Sequence, residues 1–181
     1  MRAAPSLVLI AGALLVAFAA ALARPEAASA GKRELQILNQ IERYQAETRR
    51  WERLMLRPRT PVGVSAWQSR SAEYRRWVLR LWKLRAARAR RLAARPPFLR
   101  AWLCIHGHEA RRWNADTGNG YYGGLQMDLA FQRRYASGLL RQKGTADRWT
   151  PLEQIWVAVR AHRGGRGFYP WPRTARACGL I

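Results

Sequence analysis

Apolar side chains return along the chain at helical intervals, and the first long stripe runs through Ile37, Ile41, Tyr44, Thr48, Trp51 and Met55. Alternating four- and three-residue steps keep one face of a helix apolar, as in a coiled-coil seam. Two prolines and a glycine between Pro58 and Gly63 break the pattern. Tyr74, Trp77, Val78, Leu81 and Leu84 then mark the face of a second helix. Antiparallel packing of the two as a helical hairpin is the simplest arrangement. From Lys83 to Arg95 the chain is almost only Ala, Leu and Arg, and it stops at Pro96-Pro97. That stretch reads either as a solvated basic helix end or as a docking face for anionic polymer or lipid.

Beyond Pro97 the pattern changes. Phe98, Trp102, Ile105 and Glu109 share one helical face. The first three read as core, and the acid sits at the edge of that face near the helix end. Asn114 to Gln126 is rich in glycine, and Asn119-Gly120 is a tight-turn signal, which predicts a short β-hairpin. Asp128 is placed to cap a helix reaching about Arg141. Thr150-Pro151-Leu152-Glu153 combines a capping Thr, a proline at the first helical position and a capping-box Glu. Leu152, Ile155, Trp156 and Val159 supply the buried face of that helix, and Gly164-Gly165 ends it. An aromatic, proline-rich tail continues through Phe168, Tyr169, Trp171 and Pro172 to Cys178. The expectation is an α+β protein: a basic helical region over 31–95, then a small, mainly helical domain with one β-hairpin over 96–181.

Charge narrows the range of partners. Lys and Arg number 33 against 11 for Asp and Glu, a formal charge of +22 that favours polyanions. The chain start decides which ones. Arg2 precedes an apolar run from Leu7 to Ala23, followed by Ala28-Ser29-Ala30, so residues 1–30 read as a secretory signal with cleavage before Gly31. The alternative is a single membrane anchor, for which the run is short. Either way the remainder lies outside the cytoplasm, secreted or in the cell envelope. This counts against nucleic acid as the natural partner. Cys104 and Cys178, the only two cysteines, then read as one disulfide in an oxidising compartment.

Several motifs lead nowhere. Gly118-Asn119-Gly120-Tyr121-Tyr122-Gly123 has the spacing of a dinucleotide fingerprint, but no apolar strand precedes it and no helix opens inside it. His108-Glu109 begins a zinc-protease motif whose second ligand position holds Arg112. No metal or organic cofactor is indicated.

One stretch is long and specific: Glu109, Trp113 and Asn114, then Thr117-Gly118-Asn119-Gly120-Tyr121-Tyr122-Gly123-Gly124-Leu125-Gln126. It resembles the transglycosylase-like domain of the resuscitation-promoting factors, secreted wall-cleaving proteins of actinobacteria. The regions around Gln154 and Trp156 and the ending Trp171-Pro172 to Cys178 are similar too. The resemblance covers about Phe98 to Ile181. It implies a small lysozyme-like fold, binding of peptidoglycan glycan strands, and Glu109 as the catalytic acid. Two features set this chain apart from the family pattern. Ala110-Arg111-Arg112 stands where a small, glycine-rich step is usual, and Cys104 lies five residues before the Glu rather than next to it.

The chemistry agrees with the resemblance. Cleaving a glycosidic bond needs a carboxylic acid that protonates the leaving oxygen, and an apolar setting favours its protonated form. Asp116 and Asp128 are the candidates for a second carboxylate, but they also suit a loop Asx-turn and a helix cap. A single Glu favours attack by the sugar's own hydroxyl. Trp113, Tyr121, Tyr122 and Trp171 are candidates to stack on sugars, and Thr117 and Gln126 to hydrogen-bond them. The leading expectation is an exported enzyme that cuts the MurNAc-GlcNAc bond as a lytic transglycosylase or muramidase. Its basic helices would dock on anionic wall polymer or the membrane surface. The alternative is a non-catalytic wall-binding or signalling module.

Overall fold

The computed structural model describes residues 24–63 and 71–181. The apolar run Leu7–Ala23, read above as a signal or anchor, lies outside them. Among the described residues no helix is long and apolar enough to cross a membrane.

Two long helices come first, α1 (Arg24–Met55) and α2 (Ala72–Ala93). The chain divides into two compact units, and the division falls inside both helices. Met1–Ala46 and Pro61–Arg85 form one unit, Glu47–Thr60 and Ala86–Ile181 the other. In the first unit Leu38 and Ile41 of α1 pack with Val78 and Trp82 of α2. Arg75 pairs with Glu34 at 3.2 Å, and the Lys83 ammonium lies over the Tyr44 ring. The partners advance together along both helices, so the pair is parallel and the antiparallel hairpin expectation is corrected. A tight loop would force the antiparallel sense. Here residues 56–71 join the helices, and at roughly 3.3 Å per extended residue they are long enough to return the chain alongside a helix rising about 1.5 Å per residue.

The buried stripe of α2 also differs from the expected one. Trp77 and Leu84 are exposed, while Val78, Trp82, Ala86, Ala89 and Ala93 are buried. The stripe therefore steps onto small alanines, which the spacing of the larger apolar side chains does not mark.

In the second unit, α1 ends at a left-handed Leu56. The buried Glu52 carboxylate closes that end by accepting from the Thr60 N–H and hydroxyl. Helix α3 (Leu99–Glu109) buries Trp102 and Ile105, as the spacing predicts. Phe98 is not core. It is left-handed, more than half exposed, and its ring lies against His162 and Phe168 at the surface.

Strands β1 (Tyr121–Tyr122) and β2 (Met127–Asp128) pair antiparallel, Tyr121 with Asp128 and Tyr122 with Met127. The hairpin thus closes through Gly123–Gln126. Asn119-Gly120 turns the chain earlier, between Asp116 and Tyr122, which form an isolated bridge. Asn-Gly is therefore a turn, but not the one joining the two strands.

Helix α4 (Leu129–Lys143) is capped by Asp128, which accepts from the Phe131 N–H at 2.6 Å. A one-turn 3₁₀ segment (Ala146–Arg148) leads to α5 (Pro151–Ala161). Both halves of the expected capping box are present, between Thr150 and Glu153. Residues 153–159 of α5 are buried on every side, so this short helix is the centre of the core. A wide turn (His162–Arg166) follows, and the tail forms a further helix, α6 (Pro172–Ala177). Cys104 of α3 is disulfide-bonded to Cys178 after α6. The α+β class holds, with a helical pair ahead of a mainly helical domain and one two-stranded sheet.

Candidate active site

Glu109 is the last residue of α3 and is half-buried, at the edge of the face that carries Trp102 and Ile105. The helix stops there because Ala110 turns to an extended conformation. The Thr174 hydroxyl on α6 lies 2.8 Å from Glu109 Oε1 and 3.2 Å from the Trp171 carbonyl. One hydroxyl hydrogen serves either acceptor. With an ionised Glu109, Thr174 donates to the carboxylate. With a protonated one, Thr174 donates to the carbonyl and its oxygen can accept a hydrogen bond from the acid's O–H.

Beside Glu109 runs a groove of about 370 Å³, lined by Glu109, Ala110, Arg111, Arg112, Asn114, Ala115, Asp116, Thr117 and Gln126. Three of the expected site residues, Glu109, Thr117 and Gln126, thus meet at one cavity. Gln126 sits in a left-handed conformation and its amide donates to the Gly123 carbonyl at 2.8 Å. Asp116 shares the groove, but its carboxylate accepts from the Gly118 N–H at 3.1 Å, the Asx-turn role. Asp128 is away from the groove, committed to its cap.

The aromatic candidates divide. Tyr121 is exposed, and Tyr122 is half-buried against the core. Trp113 is half-buried and stacked on His106 at 3.9 Å between ring centroids. Trp171 is a correction: 4% exposed, it packs on Trp102 and Phe131, and its Nε1 donates to the Leu125 carbonyl at 2.6 Å. It has no face left for a sugar. The spacing of aromatics alone could not separate a core indole from a stacking one.

The loop's shape depends on buried polar groups whose roles the sequence alone did not assign. Gln154, fully buried on α5, accepts from the Gly124 N–H at 2.8 Å and donates to the Trp113 and Ala146 carbonyls. His106 Nδ1 contacts the Gly124 carbonyl at 2.9 Å. Gly124 must be glycine because a Cβ there would lie 2.6 Å from His106 and 2.7 Å from Trp113. Gln132 ties β2 to the 3₁₀ segment, donating to the Met127 carbonyl and accepting from the Ala146 N–H. A glutamine inside an otherwise apolar run, as at Gln154, was the available signal; Thr174 left none.

The histidines do not form a metal site with the cysteines. His108 lies near both sulfurs, but these are joined to each other and are not thiolates. Residues 101–174 match the transglycosylase-like domain family.

Proposed function

With residues 101–174 a transglycosylase-like domain, we propose that the chain is an exported peptidoglycan-cleaving enzyme in which Glu109 is the general acid at the MurNAc-GlcNAc bond. The observation that carries this reading is the position of Glu109: a half-buried carboxyl at the mouth of a groove, held by a hydroxyl that suits both its protonation states. Protonated Glu109 gives its proton to the glycosidic oxygen as the C1–O bond breaks. The muramyl C6 hydroxyl then closes on C1, and its proton returns to the Glu109 carboxylate, leaving an anhydro sugar. The engagement of Asp116 and Asp128 with backbone N–H groups favours this one-carboxylate route over a two-carboxylate hydrolase. Thr117 and Gln126, which line the groove with Glu109, hydrogen-bond the strand, and Tyr121, Tyr122 and Trp113 offer rings for its sugars to stack on. The basic helices hold the enzyme to anionic wall polymer or the membrane surface, and residues 1–30 direct export with Gly31 as the first mature residue.

Glu109→Gln keeps size and shape but cannot release a proton, so wall cleavage should fall about 10²–10⁴-fold with the circular dichroism unchanged. Asp116→Asn and Asp128→Asn should retain most activity, and mass analysis of the digest should find anhydro-muramyl ends. A folded, fully active Glu109→Gln protein would overturn the assignment. Loss in Asp116→Asn equal to that in Glu109→Gln would replace the mechanism with a two-carboxylate one.

A further inference from the structure

We infer that the groove selects glycan strands bearing free carboxylates close to the bond that is cut, and that Arg111 and Arg112 make the selection. The inference rests on the groove's proposed role. Both arginines line the cavity that holds Glu109. Both side chains are exposed, and neither takes part in any ion pair or hydrogen bond found among the described residues. Three other arginines of this unit are committed, Arg160 to three backbone carbonyls, Arg90 to Glu47 and Arg148 to Asp147; what sets Arg111 and Arg112 apart is their place in the groove lining.

The groove's own acids do not neutralise the pair during the reaction. The proposed mechanism requires Glu109 in its acid form, which leaves Asp116, itself bound to the Gly118 N–H, as the one carboxylate lining the groove beside two guanidiniums. A strand made only of N-acetylglucosamine offers them hydroxyls and amides. A carboxylate accepts the planar guanidinium fork in two parallel bonds, which is both stronger and more selective. Wall glycan presents carboxylates from two sources. Peptide-free strands expose the lactyl carboxylate of the muramic sugar, and peptide-bearing strands carry the free carboxylates of the stem.

The test measures binding, so it stands apart from the chemistry. The full chain carrying Glu109→Gln is titrated with four glycans: peptide-free strands, strands with free stem carboxylates, the same strands with those carboxylates amidated, and chitin oligomers. The titrations are repeated with Arg111→Gln and Arg112→Gln added. Carboxylate-bearing strands should bind about tenfold more tightly than neutral ones, and the two substitutions together should abolish that preference. Tighter binding of peptide-free strands assigns the lactyl carboxylate as the recognised group, and tighter binding of the free-stem strands assigns the peptide. Equal affinity for chitin and carboxylate-bearing strands would overturn the inference. So would a preference that survives both substitutions, which would trace to the chain's overall charge. Wall cleavage by Glu109→Gln, measured alongside, would overturn the catalytic reading while leaving the binding result intact.

Discussion

At the scale of single residues, the arrangement around Glu109 depends on one hydroxyl. Thr174 approaches Glu109 from sixty-five positions further along the chain, and its hydroxyl lies 2.8 Å from Oε1. On the proposed reading its role is positioning, since the hydroxyl contacts Glu109 and the Trp171 carbonyl. Thr174→Val keeps the volume and removes the bond. It should lower kcat about tenfold, as expected from losing one ordinary hydrogen bond, with little change in KM. Thr174→Ser should restore most of the rate, since it returns the hydroxyl without the methyl. Steady-state kinetics on wall glycan decide it, and equal kcat in the Val variant and the unsubstituted protein would refute the role.

Among the elements, α5 carries the largest share of the internal order, and its two ends make separate predictions. At its start Glu153 is buried, bonded through both oxygens to Lys143 at 2.7 and 2.8 Å and to the Thr150 N–H. Burial alone would raise this carboxyl, but the Lys143 ammonium and the Thr150 groups outweigh it and hold Glu153 below the usual glutamate value. A group that binds protons less readily folded than unfolded stabilises the fold above the unfolded value, roughly pH 4.3. That contribution is lost as pH falls through the lowered folded value. Melting temperature followed into acid should therefore drop more steeply for the unsubstituted chain than for Glu153→Gln, and parallel curves would disprove the linkage. Toward its other end, Arg160 donates to the carbonyls of Arg53, Leu54 and Tyr135. A cation on the final carbonyls of α1 both caps that helix and suits its dipole. Arg160→Met should speed amide hydrogen exchange selectively in residues 47–57. Unchanged exchange there would show that the contact contributes nothing.

On the scale of the whole molecule, the second unit is closed by a covalent link between α3 and the turn after α6. The two cysteines are 74 positions apart, and by loop-closure entropy a crosslink of that span stabilises by about 4–5 kcal/mol. It also ties together the two helices that present Glu109 and Thr174. The double substitution Cys104→Ser, Cys178→Ser should lower the unfolding free energy by that amount and move the denaturant midpoint down accordingly. It should reduce wall cleavage further than Thr174→Val does, because the acid and its partner would lose a common frame. A doubly substituted protein with an unshifted midpoint would contradict the estimate.

What could be read without coordinates was whatever one or two helical turns encode. The capping box at Thr150 and Glu153, the cap at Asp128, the Asx-turn at Asp116 and the placement of Glu109 at the end of an apolar face are all local. Each depends on residues within a few positions of one another. The disulfide was equally legible, because two cysteines allow one pairing. Tertiary structure alone decided the rest. Whether α1 and α2 run parallel depends on the path of the chain between them, and amphipathic periodicity is blind to direction. How deeply an indole is buried depends on what packs over it, which sets the buried Trp171 apart from the half-buried Trp113 stacked on His106. The close approach that demands glycine at position 124, the glutamine that pins the loop from α5 and the threonine that holds the acid from α6 all link distant positions. Their side chains become informative only once folding has brought those positions within hydrogen-bonding reach.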